Sequence, residues 1–377
     1  MNKIKLISAI NRILPKYKNK IVFYGRASYD NNHHALIQYL IKNGYNEKYK
    51  IHLVVANDND LVYYDNIKNV KKVKGAIAGA YHTLTAKRVF HTHGMGKVSN
   101  YTPANQIVFN MWHGTALKTL GQHSQDYYKM STKILATCDF SKDYFKKSFG
   151  YKDEQFYICG YPRCEQLFEH NNAMEQMGII KDDYEKVVLY MPTFRKASEW
   201  GITDSDQEFP LFNQESLKEF NDFLSKRNIM FVIKPHPAQD NLDIFNLILS
   251  NVKIIKNEQL LNKRIMPYNF IGETDLLITD YSSIYFDFLL TQKPIGFVID
   301  DIDEYSDKRG FVVDNPLDYM PGEKIKDVEN LKRFLDEILM GKDDWKEKRR
   351  EINDLVNFDQ SLEYSKKILD FVGITKE

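Results

Sequence analysis

The sequence has no long apolar run; nothing approaches the roughly 18–20 consecutive residues that a membrane-crossing helix needs. It also has no secretory pattern of basic start, apolar stretch and small-residue cleavage site. Cysteine is scarce. Cys138, Cys159 and Cys164 are too few and too unevenly spaced for a disulfide framework or a zinc site, so a reducing cytosol is the expectation. Charge of one sign is lacking as well: 52 basic residues stand against 51 acidic ones, with no global signature for nucleic acid or another polyanion. Neither a Gly-x-x-x-x-Gly-Lys-[Ser/Thr] loop nor a Gly-x-Gly-x-x-Gly turn occurs, which removes the commonest phosphate-binding signatures.

One local absence points the other way. The first twenty residues hold Lys3, Lys5, Arg12, Lys16, Lys18 and Lys20 and no acid. Ile4, Ile7, Ile10, Ile13 and Leu14 recur there at helical spacing until Pro15. A basic amphipathic helix within residues 1–19 suits an anionic membrane surface. The plainer alternative is a helix packed on its own domain with a solvated basic rim.

What the chain does have is length for two domains, at 377 residues, and 13% aromatic residues to fill their cores. Short apolar runs alternate with helical patterns in two series. The first runs through strands at Lys20–Tyr24, Ile51–Ala56, Asn69–Val73, Arg88–His91, Gln106–Trp112, Ile134–Cys138 and Gln155–Cys159. A polar stretch from Glu169 to Lys186 follows and is the expected domain boundary. The second series has strands at Lys186–Met191, Ile229–Lys234, Val252–Ile255, Asp275–Thr279 and Pro294–Val298, with helices between them that include Leu242–Ser250. Such alternation predicts parallel, doubly wound sheets. The expected organisation is a first Rossmann-like domain over 20–170, a second over 186–340, and C-terminal helices over 341–377 that cross back to the first. The expected fold class is α/β of the GT-B type, two Rossmann-like domains facing across a cleft.

Open α/β sheets bind ligands at the C-terminal ends of their strands, and that is where the chemistry-bearing residues fall. Trp112-His113-Gly114-Thr115 follows one strand and precedes a predicted helix: Gly114 allows close backbone approach, Thr115 is a cap or an oxyanion donor, and His113 is the residue type suited to proton transfer near neutral pH. Lys234-Pro235-His236-Pro237 presents two potential cations on a chain stiffened by proline, which suits a pyrophosphate. Asp280-Tyr281-Ser282-Ser283, with Asp287 one turn on, opens a helix whose N–H groups and hydroxyls suit a phosphate. Arg163 in Gly160-Tyr-Pro-Arg163, and Arg195 in Pro192-Thr193-Phe194-Arg195, are each a phosphate clamp or an interdomain salt-bridge residue. Weaker signals are His91-Thr-His93, which lacks a third metal ligand, Asn57-Asp-Asn-Asp60, which reads as a turn, and His33-His34 near a helix start.

In order, Trp112-His-Gly-Thr-Ala-Leu-Lys-Thr-Leu-Gly121, Gly160-Tyr-Pro-Arg163, Met191-Pro-Thr-Phe-Arg195, Lys234-Pro-His-Pro237, Thr279-Asp-Tyr-Ser-Ser283 with Asp287, and Arg309-Gly310 followed by Pro321-Gly322 resemble the CDP-glycerol glycerophosphotransferase family, the wall teichoic acid primases and polymerases. Each motif alone is weak; the ordered set is specific. The resemblance implies peripheral attachment to the cytoplasmic membrane face. It implies transfer of a polyol phosphate from CDP-glycerol or CDP-ribitol to a lipid-linked saccharide or polyol-phosphate acceptor. No tightly bound cofactor and no dedicated metal ligands are expected, and Mg²⁺ dependence is left open, since cationic side chains and a helix dipole can take its place. Its nucleotide site carries over onto His113, Gly114, Thr115, Arg163, Pro192, Thr193, Lys234, His236, Ser282, Ser283 and Asp287, with Trp112 beside it and Arg195, Asp280 and Arg309 as further candidates. Ala116 stands where the family often has proline, and Lys234 where some members have arginine. In this reading His113 is the general base on the acceptor hydroxyl, and His236 with Lys234 stabilises the leaving CMP. The alternatives are a GT-B glycosyltransferase using a CMP- or UDP-sugar, and a non-catalytic nucleotide-binding protein of the same fold.

Overall fold

The computed structural model describes residues 3–25, 31–56, 64–95, 98–119, 128–197, 202–239 and 241–376. The chain forms two compact units: Met1–Thr115 with Gly121–Gln166 and Val356–Glu377, and Ala116–Leu120 with Leu167–Leu355. Each unit is built on a parallel sheet, the two-domain α/β architecture that the alternating pattern predicts.

Unit 1 contains α1 (Lys3–Ile13), β1 (Tyr17–Tyr24), α2 (Asn31–Lys42), β2 (Lys50–Val55), β3 (Val70–Lys74), α3 (Ala76–Thr85), β4 (Ala86–His91), β5 (Ile107–Asn110), β6 (Lys133–Ala136), α4 (Asp139–Phe149) and β7 (Phe156–Ile158). The strand order is β3-β2-β1-β4-β5-β6-β7. Its central strands are apolar because both faces are covered: Ile21, Val22, Val89, Phe90, Val108 and Phe109 are all buried. The edge strand β3 differs, alternating Val70 and Val73 inward with Lys71, Lys72 and Lys74, and charged side chains of this kind discourage further strand pairing.

Unit 2 contains α5 (Ala173–Gln176), β8 (Lys186–Met191), the short hairpin β9 (Lys196–Ala197) and β10 (Ile202–Thr203), α6 (Gln214–Lys226), β11 (Ile229–Ile233), β12 (Val252–Ile254), α7 (Asn257–Asn262), α8 (Pro267–Glu273), β13 (Leu276–Thr279), α9 (Ile284–Phe288), β14 (Ile295–Val298), α10 (Ile302–Lys308), β15 (Glu323–Ile325), α11 (Val328–Leu339) and α12 (Lys346–Val356). Its sheet order is β12-β11-β8-β13-β14-β15, all parallel. Val188, Tyr190, Phe231, Ile233 and Ile278 meet Leu217, Phe220, Leu331 and Phe334 of α6 and α11 in one core. The last helix, α13 (Tyr364–Phe371), belongs to unit 1, where Phe371 stacks on Tyr157 of β7 at 4.0 Å.

Two local expectations are corrected. No helix follows His113 directly: residues 114–117 are irregular, and Lys118 forms an antiparallel bridge with Phe311 in unit 2. Leu117 and Thr119 exchange backbone hydrogen bonds with Val312 and Gly310 there, which an α-helix over the same residues would forbid. Over Leu242–Ser250 only one 3₁₀ turn forms, Asp243–Asn246, because it already buries Ile244 and Phe245 and leaves Ile248 fully outside. Asn57–Asp60 lies outside the described residues.

Candidate active site

In unit 1 the site grows from the ends of neighbouring strands. β4 and β5 run parallel in register, His91 opposite Asn110, so the residues just past their ends share one edge of the sheet. The Asn110 carboxamide accepts from the Trp112 N–H at 3.0 Å and starts a tight turn. Trp112 then adopts φ 54°, a left-handed conformation unusual for a bulky side chain, and Gly114 follows at φ 135°. The turn is held from below. The Trp112 indole is buried against Phe145 and Phe149, with ring centroids at 5.0 and 5.2 Å, and Asn32 of α2 donates to the Trp112 carbonyl at 3.0 Å. Trp112 therefore anchors the turn with its ring inside the unit, which is a different task from lining a substrate surface.

The anchored turn presents His113. Its Nδ1–H donates to the carbonyl of Thr92 at 3.1 Å, and a carbonyl can only accept, so the neutral ring carries its proton on Nδ1 and its lone pair on Nε2. The ring packs on Trp112 at 4.3 Å and on His93 at 4.3 Å. Arg163, fifty residues on, donates from Nη1 to the His113 carbonyl at 3.0 Å, and its guanidinium lies 5.0 Å over the Tyr161 ring. Thr115 is buried with its hydroxyl hydrogen-bonded to that of Thr137 at 3.1 Å, and no helix follows for it to cap. His113, Arg163, Gly114 and Thr115 are thus gathered in one unit. His91 is occupied structurally: Nδ1 accepts from the Gly94 N–H and Nε2 bonds Ser131, which takes it out of any metal pair with His93.

In unit 2 the ends of β8, β11, β13 and β14 supply the remaining residues. Asp280 organises them. Its carboxylate accepts from the Thr193 N–H at 2.9 Å, the Thr193 hydroxyl at 2.7 Å, the Ser282 N–H at 3.1 Å and Arg195 Nη1 at 2.7 Å. Arg195 also donates through Nε and Nη2 to Asp301 at 2.6 and 3.1 Å, and the Tyr281 hydroxyl donates to Asp301 at 3.1 Å. Arg195 is fully buried, so of its two expected roles neither a phosphate clamp nor an interdomain bridge fits; it locks three loops of one unit together. Such a wholly buried pair survives because every charge is matched by hydrogen bonds.

His236 Nδ1 accepts from the Ala238 N–H at 3.1 Å, and its ring packs on Phe194 at 4.8 Å. Burial, then the nearby charges of Lys118 and Lys234, push its pKa down to about 3, with Asp280 opposing. At neutral pH it is therefore a neutral ring whose proton sits on Nε2, a hydrogen-bond donor rather than the second cation expected from sequence. Lys234 is buried and donates to the Asn257 carboxamide. Ser283 occupies the first position before α9 without capping it through its hydroxyl, and Ser282 and Ser283 are both half-buried. Asp287 is buried and accepts from the Tyr268 hydroxyl at 2.5 Å. Arg309 lies 3.7 Å from Asp204.

Sequence reasoning missed Lys118. The segment Ala116–Leu120 belongs to unit 2, and Lys118 places its ammonium 5.7 Å over the Phe194 ring, in the field of Asp280, Arg309, Asp204 and Arg195. Burial pushes its pKa down to about 8. The signal was present: Lys118 lies in the same motif as His113, but a helix there would have turned it elsewhere. In unit 2, Lys118 and Lys234 lie within electrostatic reach of His236, and Asp280, which holds the Ser282 N–H, reaches both Lys118 and His236; cations and donors of these kinds could hold an anion.

A family model described as CDP-Glycerol:Poly(glycerophosphate) glycerophosphotransferase matches residues 6–373. The chain is 32% identical over 209 residues to the teichoic acid glycerol-phosphate primase of Bacillus subtilis (strain 168), an alignment covering 55% of this chain and 48% of that protein. It is thus matched to about half the length of that relative. It is 26% identical over 362 residues to the teichoic acid poly(glycerol phosphate) polymerase of Bacillus spizizenii (strain ATCC 23059 / NRRL B-14472 / W23), covering 87% of this chain and 86% of the relative. Among solved structures, that of the wall teichoic acid polymerase TagF superposes with a TM-score of 0.76 at 22% identity, covering 98% of this chain and 92% of the other, which is a likeness of fold.

Proposed function

The chain belongs to the CDP-Glycerol:Poly(glycerophosphate) glycerophosphotransferase family, and from that premise we propose that it transfers a polyol phosphate, glycerol phosphate foremost, from a CDP-polyol to a hydroxyl of a lipid-linked or polymeric acceptor, releasing CMP, in teichoic acid or capsule synthesis. The observation that carries this reading is the family match across residues 6–373.

His113 Nε2 takes the proton of the acceptor hydroxyl, whose oxygen attacks the phosphorus that bears the polyol; the new P–O bond forms as the bond to the bridging oxygen breaks. CMP leaves with that electron pair. A positioned base of this kind contributes about 10²–10⁴-fold. In unit 2, Lys118 and Lys234 offset the charge gathering on the CMP phosphate, while His236 Nε2–H and the Ser282–Ser283 loop donate hydrogen bonds to its oxygens. Arg163 holds the His113 turn through its carbonyl.

The membrane face of the reading rests on α1. Ile7 and Leu14 pack on the core of unit 1, and the buried Asn11 donates to the Tyr101 carbonyl at 2.8 Å, so the helix is docked. Leu6, Ile10 and Ile13 point outward, Ile13 with 83% of its surface exposed. Around them Lys5, Arg12 and Lys18 are exposed, whereas Lys20 is buried with its ammonium on the Thr85 hydroxyl, and α3 adds Ile77, 89% exposed and three residues past Lys74 of β3. Exposed apolar side chains among lysines suit the cytoplasmic, anionic leaflet. No helix among the described residues is long and apolar enough to cross a bilayer.

The test is mass analysis of products formed from a synthetic lipid-linked disaccharide with CDP-glycerol or CDP-ribitol. Growth of the acceptor by one or more polyol phosphates, with stoichiometric CMP, is expected. Absence of CMP release with both donors overturns the proposal.

A further inference from the structure

His93 is absorbed by no part of the reading above, yet it lies flat on the proposed base. The His93 and His113 ring centroids are 4.3 Å apart and the planes differ by 5°. The register of β4 with β5 makes this contact, since His93 sits two residues beyond His91 and His113 three beyond its partner Asn110. Thr92 ties both rings: its carbonyl accepts from His113 Nδ1 at 3.1 Å and its hydroxyl bonds His93 Nδ1 at 2.8 Å. His113 is thus sandwiched between Trp112 on one side and an exposed imidazole on the other.

We propose that His93 is a positioning residue for His113, fixing the plane of the base and, as a second titratable ring in face-to-face contact, keeping His113 from holding the extra proton that would disable it. The inference rests on His113 being the base. Two imidazolium rings at this separation repel, so the pair takes up its first proton and resists its second, and its titration belongs to both rings. Other groups lie around this pair among the described residues. Arg163 contacts its carbonyl and adds a fixed positive charge of the same sense. His91 is held by Ser131 and Gly94, and Tyr128, whose ring lies 5.7 Å from that of Trp112, has its phenol pushed upward by burial and stays neutral. On α2, Asn32 reaches the Trp112 carbonyl, while His33 packs on Phe23 and His34 bonds Tyr64.

The experiment compares His93→Phe, which keeps a flat ring without a titrating group, with His93→Ala, which removes both, in the full-length protein. CMP release is measured against pH at saturating CDP-glycerol and acceptor, alongside CDP binding and melting temperature. His93→Phe moves the acid limb of the profile upward by about one pH unit, so that rate is lost at pH 6 relative to its own alkaline plateau. His93→Ala lowers kcat about tenfold across the range, as expected for a base that has lost its alignment, with CDP affinity and melting temperature kept. An acid limb unmoved in His93→Phe, or a wild-type kcat in His93→Ala, overturns the proposal. His113→Ala separates the two levels: if it abolishes turnover while both His93 variants behave as wild type, the base stands and the role of His93 falls. If His113→Ala turns over normally, the base reading and the role of His93 fall together.

Discussion

Arg195 and Asp280 form an ion pair at 2.7 Å in which neither side chain has any solvent exposure. Asp301 holds the other edge of the same guanidinium. The pair fixes the loops after β8, β13 and β14, the loops from which unit 2 presents Thr193 and Ser282. Removing the cation strands two buried carboxylates, and breaking a buried pair costs about 3–5 kcal/mol. Arg195→Met is therefore expected to lose stability of that order in urea denaturation, and to lose CDP binding with it. A loss below about 1 kcal/mol contradicts the assignment.

His236 makes stability depend on acid. Its pKa, about 3 in the fold, lies below the 6.5 of an ordinary histidine, so the unfolded chain binds more protons between those values. Stability from its burial is complete above pH 6.5 and drains as pH falls toward 3, by up to about 1.4 kcal/mol per pH unit. His52 in unit 1, pushed to about 4 chiefly by burial, acts with the same sign. His236→Gln should flatten part of the acid dependence between pH 6.5 and 4.5 in chemical denaturation. A slope identical to wild type contradicts the buried neutral ring.

Lys118 is expected to set the alkaline limit of donor binding. With a pKa near 8 it loses its charge as pH rises through that value, and the CMP phosphate loses a cation. Calorimetric CDP affinity should fall between pH 7.5 and 9.5, and Lys118→Arg, always protonated, should hold its affinity over the same span. Parallel curves for the two proteins rule Lys118 out of the phosphate site.

Membrane binding should be lost by disrupting outward residues alone. Replacing Ile10 and Ile13 with serine removes two exposed apolar side chains without touching Ile7, Asn11 or Leu14, which dock α1. Co-sedimentation with anionic liposomes should drop about tenfold or more, and the residual binding should weaken further with salt. Unchanged sedimentation at unchanged melting temperature assigns the membrane contact elsewhere.

The strands were legible because a parallel sheet buries both faces and so writes its strands as apolar runs, and the candidate site residues stood out because they sit where those runs stop. Less legible were residues whose role depends on a partner far along the chain. Arg195 reads as a ligand-binding cation in sequence; only the fold brings Asp280 and Asp301 around it. Lys118 was masked by an expected helix that pairing with Phe311 replaces. His93 was set aside for want of a third metal ligand, since its real neighbour, His113, is reached through strand register and not through spacing. The N-terminal isoleucines read as one apolar face but divide into docked Ile7 and exposed Ile10 and Ile13, because Asn11 faces inward.

The proposed mechanism divides labour between two histidines, His113 on the acceptor and His236 on the leaving phosphate. It is tested most directly by measuring CDP affinity and CMP release together for His113→Ala and His236→Ala. His113→Ala is expected to bind CDP within about threefold of wild type while CMP release falls about 10²–10⁴-fold, and His236→Ala to weaken CDP binding about tenfold or more. Wild-type CMP release by His113→Ala, or unaltered CDP affinity in His236→Ala, contradicts it.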